Sequence, residues 1–167
     1  RAVTEGQRKF MGTLQNTYAF WVLYADIDNF NPMNYKLSDC ALTVMDKFIL
    51  SRMNTMVKGI GGNLGAYKIP EAARCLSSFV DELSNWYVRR CRERFWVKDM
   101  PEDKVNAYMT LYTCLVTVAK LSAPHIPFMT EEIYRNLVCS VDKSAPESIH
   151  LCSYPVADES MIDPELE

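Results

Sequence analysis

The chain of 167 residues predicts an all-α fold, an antiparallel bundle of four long helices and a short fifth with an extended C-terminal segment. Three observations carry this. Apolar residues recur at spacings of three and four over most of the first 138 positions, which is the period of a helix with one buried face. Prolines with acids beside them stand at two points where such patterns begin. Loop signals at Asn31-Pro32 and at Ala123-Pro124-His125-Ile126-Pro127 separate the patterns.

Phe10, Leu14, Tyr18, Trp21 and Ala25 mark the first helix, which ends before the loop signal at Asn31-Pro32. The second begins at about Thr43 and runs through Met45, Phe48, Ile49, Met53, Met56, Val57 and Ile60. Gly61 and Gly62 are expected to kink or fray it, at a cost of about 1 kcal/mol each relative to Ala. Ile69-Pro70-Glu71 opens the third, and Leu76, Phe79, Val80, Leu83, Trp86 and Tyr87 extend it without a breaker to Val97. At 1.5 Å per residue those 28 positions reach roughly 42 Å, so its end is expected to overhang the core. Pro101-Glu102-Asp103 starts the fourth, which continues to Ser122, and Thr130-Glu131-Glu132 leads the short fifth through Leu137 and Val138. Residues 1–140 are thus expected to form the bundle. Residues 141–167 are expected to be an extended segment, packed around Ser148 to Pro155, followed by an acidic linker or frayed end.

Composition narrows the function classes. From Asp142 onward seven acids face Lys143 alone, a net of −6, whereas the first 141 residues carry 17 basic and 14 acidic groups. The body is therefore weakly basic although the chain as a whole is acidic. Six cysteines without a C-x-x-C pair, and two histidines far apart, give no zinc spacing, and free thiols in a reducing cytosol are expected. The apolar stretches fall short of the roughly 20 residues needed to cross a bilayer. The chain begins at Arg1 without an initiator Met and reads as a piece of a longer protein.

Catalytic chemistry finds no support. Gly59, Gly61, Gly62 and Gly65 follow no strand and are no phosphate loop. Glu131 and Glu132 match a helix dipole, and His125, between prolines, reads as a packing residue rather than a general base. The stretch NWYVRRCRERFW, residues 85–96, holds four arginines and four aromatics. On a straight helix with Trp86 at 0°, at about 100° per residue, Arg90 falls near 40° and Arg94 near 80°, inside the apolar stripe. Arginine there is costly to bury unpaired. Either the arginines pair with acids such as Asp81, Glu82 or Glu131, or they form an anion-gripping end with Trp96 as a stacking surface, a combination suited to RNA.

Several segments in order bear a family likeness: NTYAFWVLYADIDNF (16–30), DKFILSRMN (46–54), FVDELSNWYVRRCRERFW (79–96), LSAPHIPFMTEEIY (121–134) and ESIHL (147–151). Together they resemble the helical anticodon-binding domain of class I aminoacyl-tRNA synthetases of the isoleucine, valine and leucine group. The first and third segments look most like the isoleucine-specific members; the valine-specific ones are the close rival. Gln15 stands where the family usually has Trp, and the HIGH and KMSKS nucleotide signatures are absent. The resemblance therefore implies a cytoplasmic module that is itself inactive and binds no cofactor. Its parent would join isoleucine to tRNA with ATP and magnesium, and its partners would be the isoleucine-accepting tRNA and the catalytic domain of the same chain, with no membrane. It further implies that Arg89, Arg90, Arg92, Arg94 and Lys98 contact phosphates and that Trp96 stacks, with Arg8 and Lys9 as weaker candidates. Trp86 and Tyr87 are assigned to the core. A helical protein-interaction domain without an RNA role is the reading from another class. Reversing Arg90 and Arg94 to Glu is expected to weaken tRNA binding with little change in the melt.

Overall fold

The computed structural model describes residue 5 and residues 7–167, and no strand is present among them. A π-helical stretch, Gln7–Gly12, runs into α1 (Thr13–Asp28). Then come α2 (Val44–Gly65) and α3 (Ile69–Glu82), which passes through a π-helical turn, Leu83–Val88, into α4 (Arg89–Trp96). The last two helices are α5 (Glu102–Ser122) and α6 (Pro127–Tyr134), the latter extended by a π-helical turn, Arg135–Cys139. Four long helical units and a short fifth are therefore present.

α5 is the centre, packing against α1, α2, α3, α4 and α6. Its residues Ala107, Tyr108, Leu111, Cys114, Leu115, Val118 and Leu121 are inaccessible to solvent. Burial on almost all sides explains why its sequence lacks a clean polar face. Around it close Trp21 from α1, Ile49 and Ile60 from α2, Leu76 and Phe79 from α3, and Ile133 from α6. The indole of Trp21 donates to the Tyr108 carbonyl at 3.0 Å, which satisfies a buried N–H and fixes α1 on α5. All six cysteines are free.

The Gly61-Gly62 pair does not break α2, which continues to Gly65. Packing of Leu50, Met53, Met56, Val57 and Ile60 supplies what the glycines lack in propensity. A Cβ placed on either glycine would meet nothing within 4 Å.

The C-terminal residues are not a frayed end. The Asn54 side-chain oxygen accepts the Asp158 amide at 2.8 Å, and Ser51 Oγ accepts the Asp163 amide at 2.8 Å. Glu167 then takes hydrogen bonds from Ser51 Oγ (2.5 Å) and Thr55 Oγ1 (2.7 Å) and pairs with Arg52 (3.1 Å). The polar face of α2 is thus the receptor for the tail. Two of the tail's acids, Glu159 and Glu167, are matched by Lys58 and Arg52. Further upstream, Glu131 does more than match a dipole: it accepts the Ser148 hydroxyl and the Ile149 amide, both at 2.9 Å, and so pins the segment leading to the tail onto α6.

Replacing Gly61 or Gly62 by Ala is expected to stabilise the chain by about 1 kcal/mol each, because the helix is already formed and the space is open. Urea unfolding measures this, and a loss of stability in either variant would contradict it.

Candidate nucleic-acid interface

The arginine stretch owes its geometry to the π-helical turn Leu83–Val88. Such a turn holds one residue more than an α-turn, so everything after it is set back by one position, about 100° on the wheel. Cys91 and Phe95, which a straight helix would place near 140° and 180°, come to about 40° and 80°. They fall into the apolar stripe, and both are buried, Phe95 at 1% exposure. Leu83, Tyr87, Cys91 and Phe95 form one buried row, and Phe95 meets Phe20 and Tyr108 edge to ring. The expectation that the end of this helix overhangs the core is corrected: the core continues through Cys91 to Phe95, one full turn further on. The same shift turns Arg90 out of the stripe, and its side chain is exposed.

Arg94 is the residue whose surroundings differ most from expectation. It is not a free cation on an overhang, since only 15% of its side chain is exposed. Its Nη1 and Nη2 donate to the two carboxylate oxygens of Asp46 at 2.7 and 2.9 Å, and its Nε and Nη2 donate to Asp103 at 2.9 and 2.7 Å. The acids are neither Asp81, Glu82 nor Glu131, because the pairing spans 48 residues to the first turn of α2. Asp46 also caps α2 through a reciprocal box with Thr43 and accepts the Tyr87 hydroxyl at 2.6 Å. Burial by itself would raise the Asp46 carboxyl, but hydrogen bonds from Arg94 and Tyr87 and the Arg94 charge outweigh it and hold it below its ordinary value. Burial and the Asp46 charge push the Tyr87 phenol well up, so it stays a neutral donor.

A second pair holds the turn after α4. Lys104, with 3% of its side chain exposed, reaches Asp28 at 2.7 Å and donates to the Val97 carbonyl at 2.8 Å. Asp28 also accepts the Tyr108 hydroxyl at 2.5 Å. Sequence reading missed Asp46, Asp103 and Lys104. Only the density of charge at the helix starts hinted at them.

What remains on the outside is a set of cations. Arg89, Arg90, Arg92 and Lys98 are exposed, interspersed with the acids Glu93 and Asp99. Two arginines are held against indoles: Arg90 lies 4.9 Å above the Trp86 ring and Arg92 5.3 Å above that of Trp96. Trp86 is half-buried against Phe48 rather than fully in the core. Trp96 is 51% exposed and donates its ring N–H to the Tyr24 hydroxyl at 2.7 Å. One face of its ring is therefore already covered by Arg92. A stacked guanidinium keeps its N–H edge free for a phosphate while losing less side-chain freedom on binding.

Arg8 and Lys9 are exposed and belong to a different place. Lys9 pairs with Glu5 and lines a cleft with Thr13, Arg74, Ser77, Ser78 and Asp81. Along the helix that cleft, lined by residues 74 to 81, lies roughly 12 to 22 Å from Arg89, the first of the exposed cations, so the two basic groups form separate patches. Arg74, passed over in the sequence, sits beside Lys9 there. His125 borders an apolar cleft with Phe10, Leu76 and Ile126, in keeping with a packing role.

Gly59, Gly61, Gly62 and Gly65 all lie in α2, and none of them has a positive φ, so these four form no phosphate-cradling loop. Among the described residues no group of three or more His, Cys, Asp or Glu could hold a metal ion. No described helix is long and apolar enough to cross a membrane.

The fold is an all-α bundle that presents two ring-stacked arginines beside an ion-paired helix start. A family model described as the anticodon-binding domain of tRNA ligase matches residues 46–167, and the chain belongs to that family. It is similar over nearly its whole length to isoleucine-tRNA ligases. The relative from Clostridium novyi is 56% identical over 165 residues, 99% of this chain and 16% of the relative. That from Dehalococcoides mccartyi is 47% identical over 167 residues, 100% of this chain and 16% of the relative. The chain thus spans about one-sixth of the length of these relatives.

Two outcomes are expected. Arg94→Met, which strands Asp46 and Asp103, should cost about 3–5 kcal/mol in urea unfolding. Arg89→Met should stay within about 0.5 kcal/mol of the parent chain. Because the folded Asp46 value is depressed, its contribution is complete above the ordinary carboxyl value of 3.8 and is lost as pH falls through the folded value. The stability gap between wild type and Arg94→Met should therefore narrow on acidification, and a gap that is constant with pH would contradict the pairing. Secondly, Trp96→Leu and Arg92→Gln should be coupled in RNA affinity by about 0.5–1 kcal/mol in a double-mutant cycle. Additive effects would show that the indole does not position the guanidinium.

Proposed function

We propose that this chain is the part of an isoleucine-tRNA ligase that holds tRNA at the anticodon stem-loop, with the outer face of α4 as the grip. The observation that carries this reading is the separation of the cations into two sets. Arg94 and Lys104 are consumed by carboxylates, whereas Arg89, Arg90, Arg92 and Lys98 are displayed on one short helix and the turn after it. A face of exposed arginines with adjoining indoles suits a target that offers phosphates and unstacked bases together, as an anticodon loop does. Family membership and the isoleucine-tRNA ligase relatives favour this over a protein-interaction role and over a valine-specific ligase. In this reading the joining of isoleucine to tRNA with ATP and magnesium is carried out by other parts of a cytoplasmic enzyme. The catalytic domain of that enzyme is then a partner of this chain.

Arg94 leaves the set of phosphate contacts in this proposal, because both faces of its guanidinium edge are satisfied internally. Charge reversal at Arg94 would unfold the bundle rather than report on RNA. The informative variant is Arg89→Glu with Arg90→Glu and Arg92→Glu. Wild-type chain should bind isoleucine-accepting tRNA with a log–log salt slope of about −3, from four contacts at roughly 0.7 to 0.9 each. The triple variant should bind at least tenfold more weakly at about 0.1 M salt, with an unchanged melt. Binding equal to wild type in an electrophoretic shift would end the proposal, and equal shifts with an unrelated tRNA would leave a basic patch without specificity.

A further inference from the structure

The loop between α1 and α2, which supplies none of the expected RNA contacts, is held in place at several points. Asn29 ends α1 in a left-handed conformation at φ 51°, and the Phe30 amide returns to the Ala25 carbonyl at 2.8 Å. Asn31 caps a 3-10 turn, Pro32–Asn34, by accepting the Met33 amide, and the Asn106 side chain on α5 donates to the Ala41 carbonyl at 2.9 Å. This path stacks three rings. Phe30 lies on Tyr108 of α5 with ring centroids 4.5 Å apart and planes 16° apart, and Tyr35 lies on Phe30 at 5.3 Å and 3°. Tyr108 is inaccessible to solvent and Phe30 nearly so, whereas Tyr35 is 38% exposed, so the stack begins in the core and ends at the surface. Beyond Phe30, Tyr35 lines a cavity of about 500 Å³ together with Met33, Asn34, Lys36 and Asp39 of the loop and Met100 and Glu102 at the entry to α5.

We infer that this cavity receives one unpaired base of the bound RNA, its ring continuing the stack on Tyr35 and its edge meeting Asn34 and the two carboxylates. The inference deepens the proposed function and rests on it. Three observations choose the occupant. A ring stack that ends in an exposed aromatic favours another flat ring, and every base has such a face. Asp39 and Glu102 against Lys36 alone disfavour a phosphate inside the cavity, but carboxylates accept the N–H groups at the edge of a neutral base. Lys36 is exposed and can meet the phosphate next to that base. Finally, Met100 lies two residues from Lys98, at most about 7 Å along the chain. One wall of the cavity thus belongs to the same turn as the last cation of the proposed grip. The volume is that of a site for a small flat ligand, and the pinned loop loses little freedom when it is filled.

Replacing the ring and removing the base test this together. Tyr35→Leu keeps an apolar side chain on Phe30 and should leave the melt nearly unchanged. It should bind isoleucine-accepting tRNA about tenfold more weakly, the loss expected for one base–aromatic stack, while Tyr35→Phe binds as wild type. The slope of log affinity against log salt should be the same in all three, because a stack releases no counterion. A shallower slope in Tyr35→Leu overturns the inference, since the loop would then hold phosphate, and so does an equal loss in Tyr35→Phe. Anticodon stem-loop RNAs with the loop bases removed one at a time identify the occupant. At one position removal should weaken binding to wild type by a similar factor and weaken binding to Tyr35→Leu no further. Losses that add at every position, or Tyr35→Leu binding equal to wild type, overturn the inference. Failure of the wild-type chain to bind the tRNA removes the proposed function and this inference with it. Wild-type binding that depends on Arg89, Arg90 and Arg92 but not on Tyr35 removes only the base pocket.

Discussion

A buried carboxylate, Asp46, joins three helices at one point. It caps α2 through Thr43, receives Tyr87 from the π-helical turn, and takes both Nη groups of Arg94 from α4, while the same guanidinium reaches Asp103 at the start of α5. Ion pairs of this kind contribute little net stability relative to an apolar replacement, but removing one partner leaves a stranded charge. Their effect is to allow one arrangement and penalise its neighbours. α4 can have only one rotation about its axis if Arg94 is to meet both acids, and that rotation is the one which buries Cys91 and Phe95 and turns Arg89, Arg90 and Arg92 outward. The outward display of these arginines is a consequence of the internal pair.

The C-terminal end of the chain uses the same stretch of α2. Within residues 46–54, Asp46 anchors the arginine helix, whereas Ser51, Arg52 and Asn54 receive the tail. Neighbouring faces of one helix thus fix two distant parts of the molecule. The acidic tail, which by composition alone would oppose RNA binding, lies along α2, with Glu159 and Glu167 paired to Lys58 and Arg52.

Much of the fold was legible because its signals are local. Apolar spacing and the Pro-acid starts located all five helical units, and Asn31-Pro32 located the first loop. Gly61-Gly62 misled locally because packing from α5 and α3 overrode propensity. The π-helical turn was not legible, since an inserted residue leaves the amino-acid pattern readable as a straight helix; the row 83, 87, 91, 95, spaced by four throughout, was its only trace. The Asp46–Arg94 pair was invisible for another reason, as a contact across 48 residues has no local signature. Sequence reasoning correctly recognised that an arginine on the apolar stripe needs an explanation. The explanation at Arg94 was internal pairing, and at Arg90 a change of phase.

Salt dependence separates the two roles assigned to arginine most directly. Arg90→Gln and Arg94→Gln each remove one charge from the same stretch of helix. Measured below both melting temperatures, the slope of log affinity for isoleucine-accepting tRNA against log salt should become shallower by about 0.7 to 0.9 for Arg90→Gln, because one phosphate contact is lost. For Arg94→Gln the slope should be unchanged, with the cost appearing in stability instead. Equal losses of slope in the two variants would contradict the division between an internal pair and an external grip.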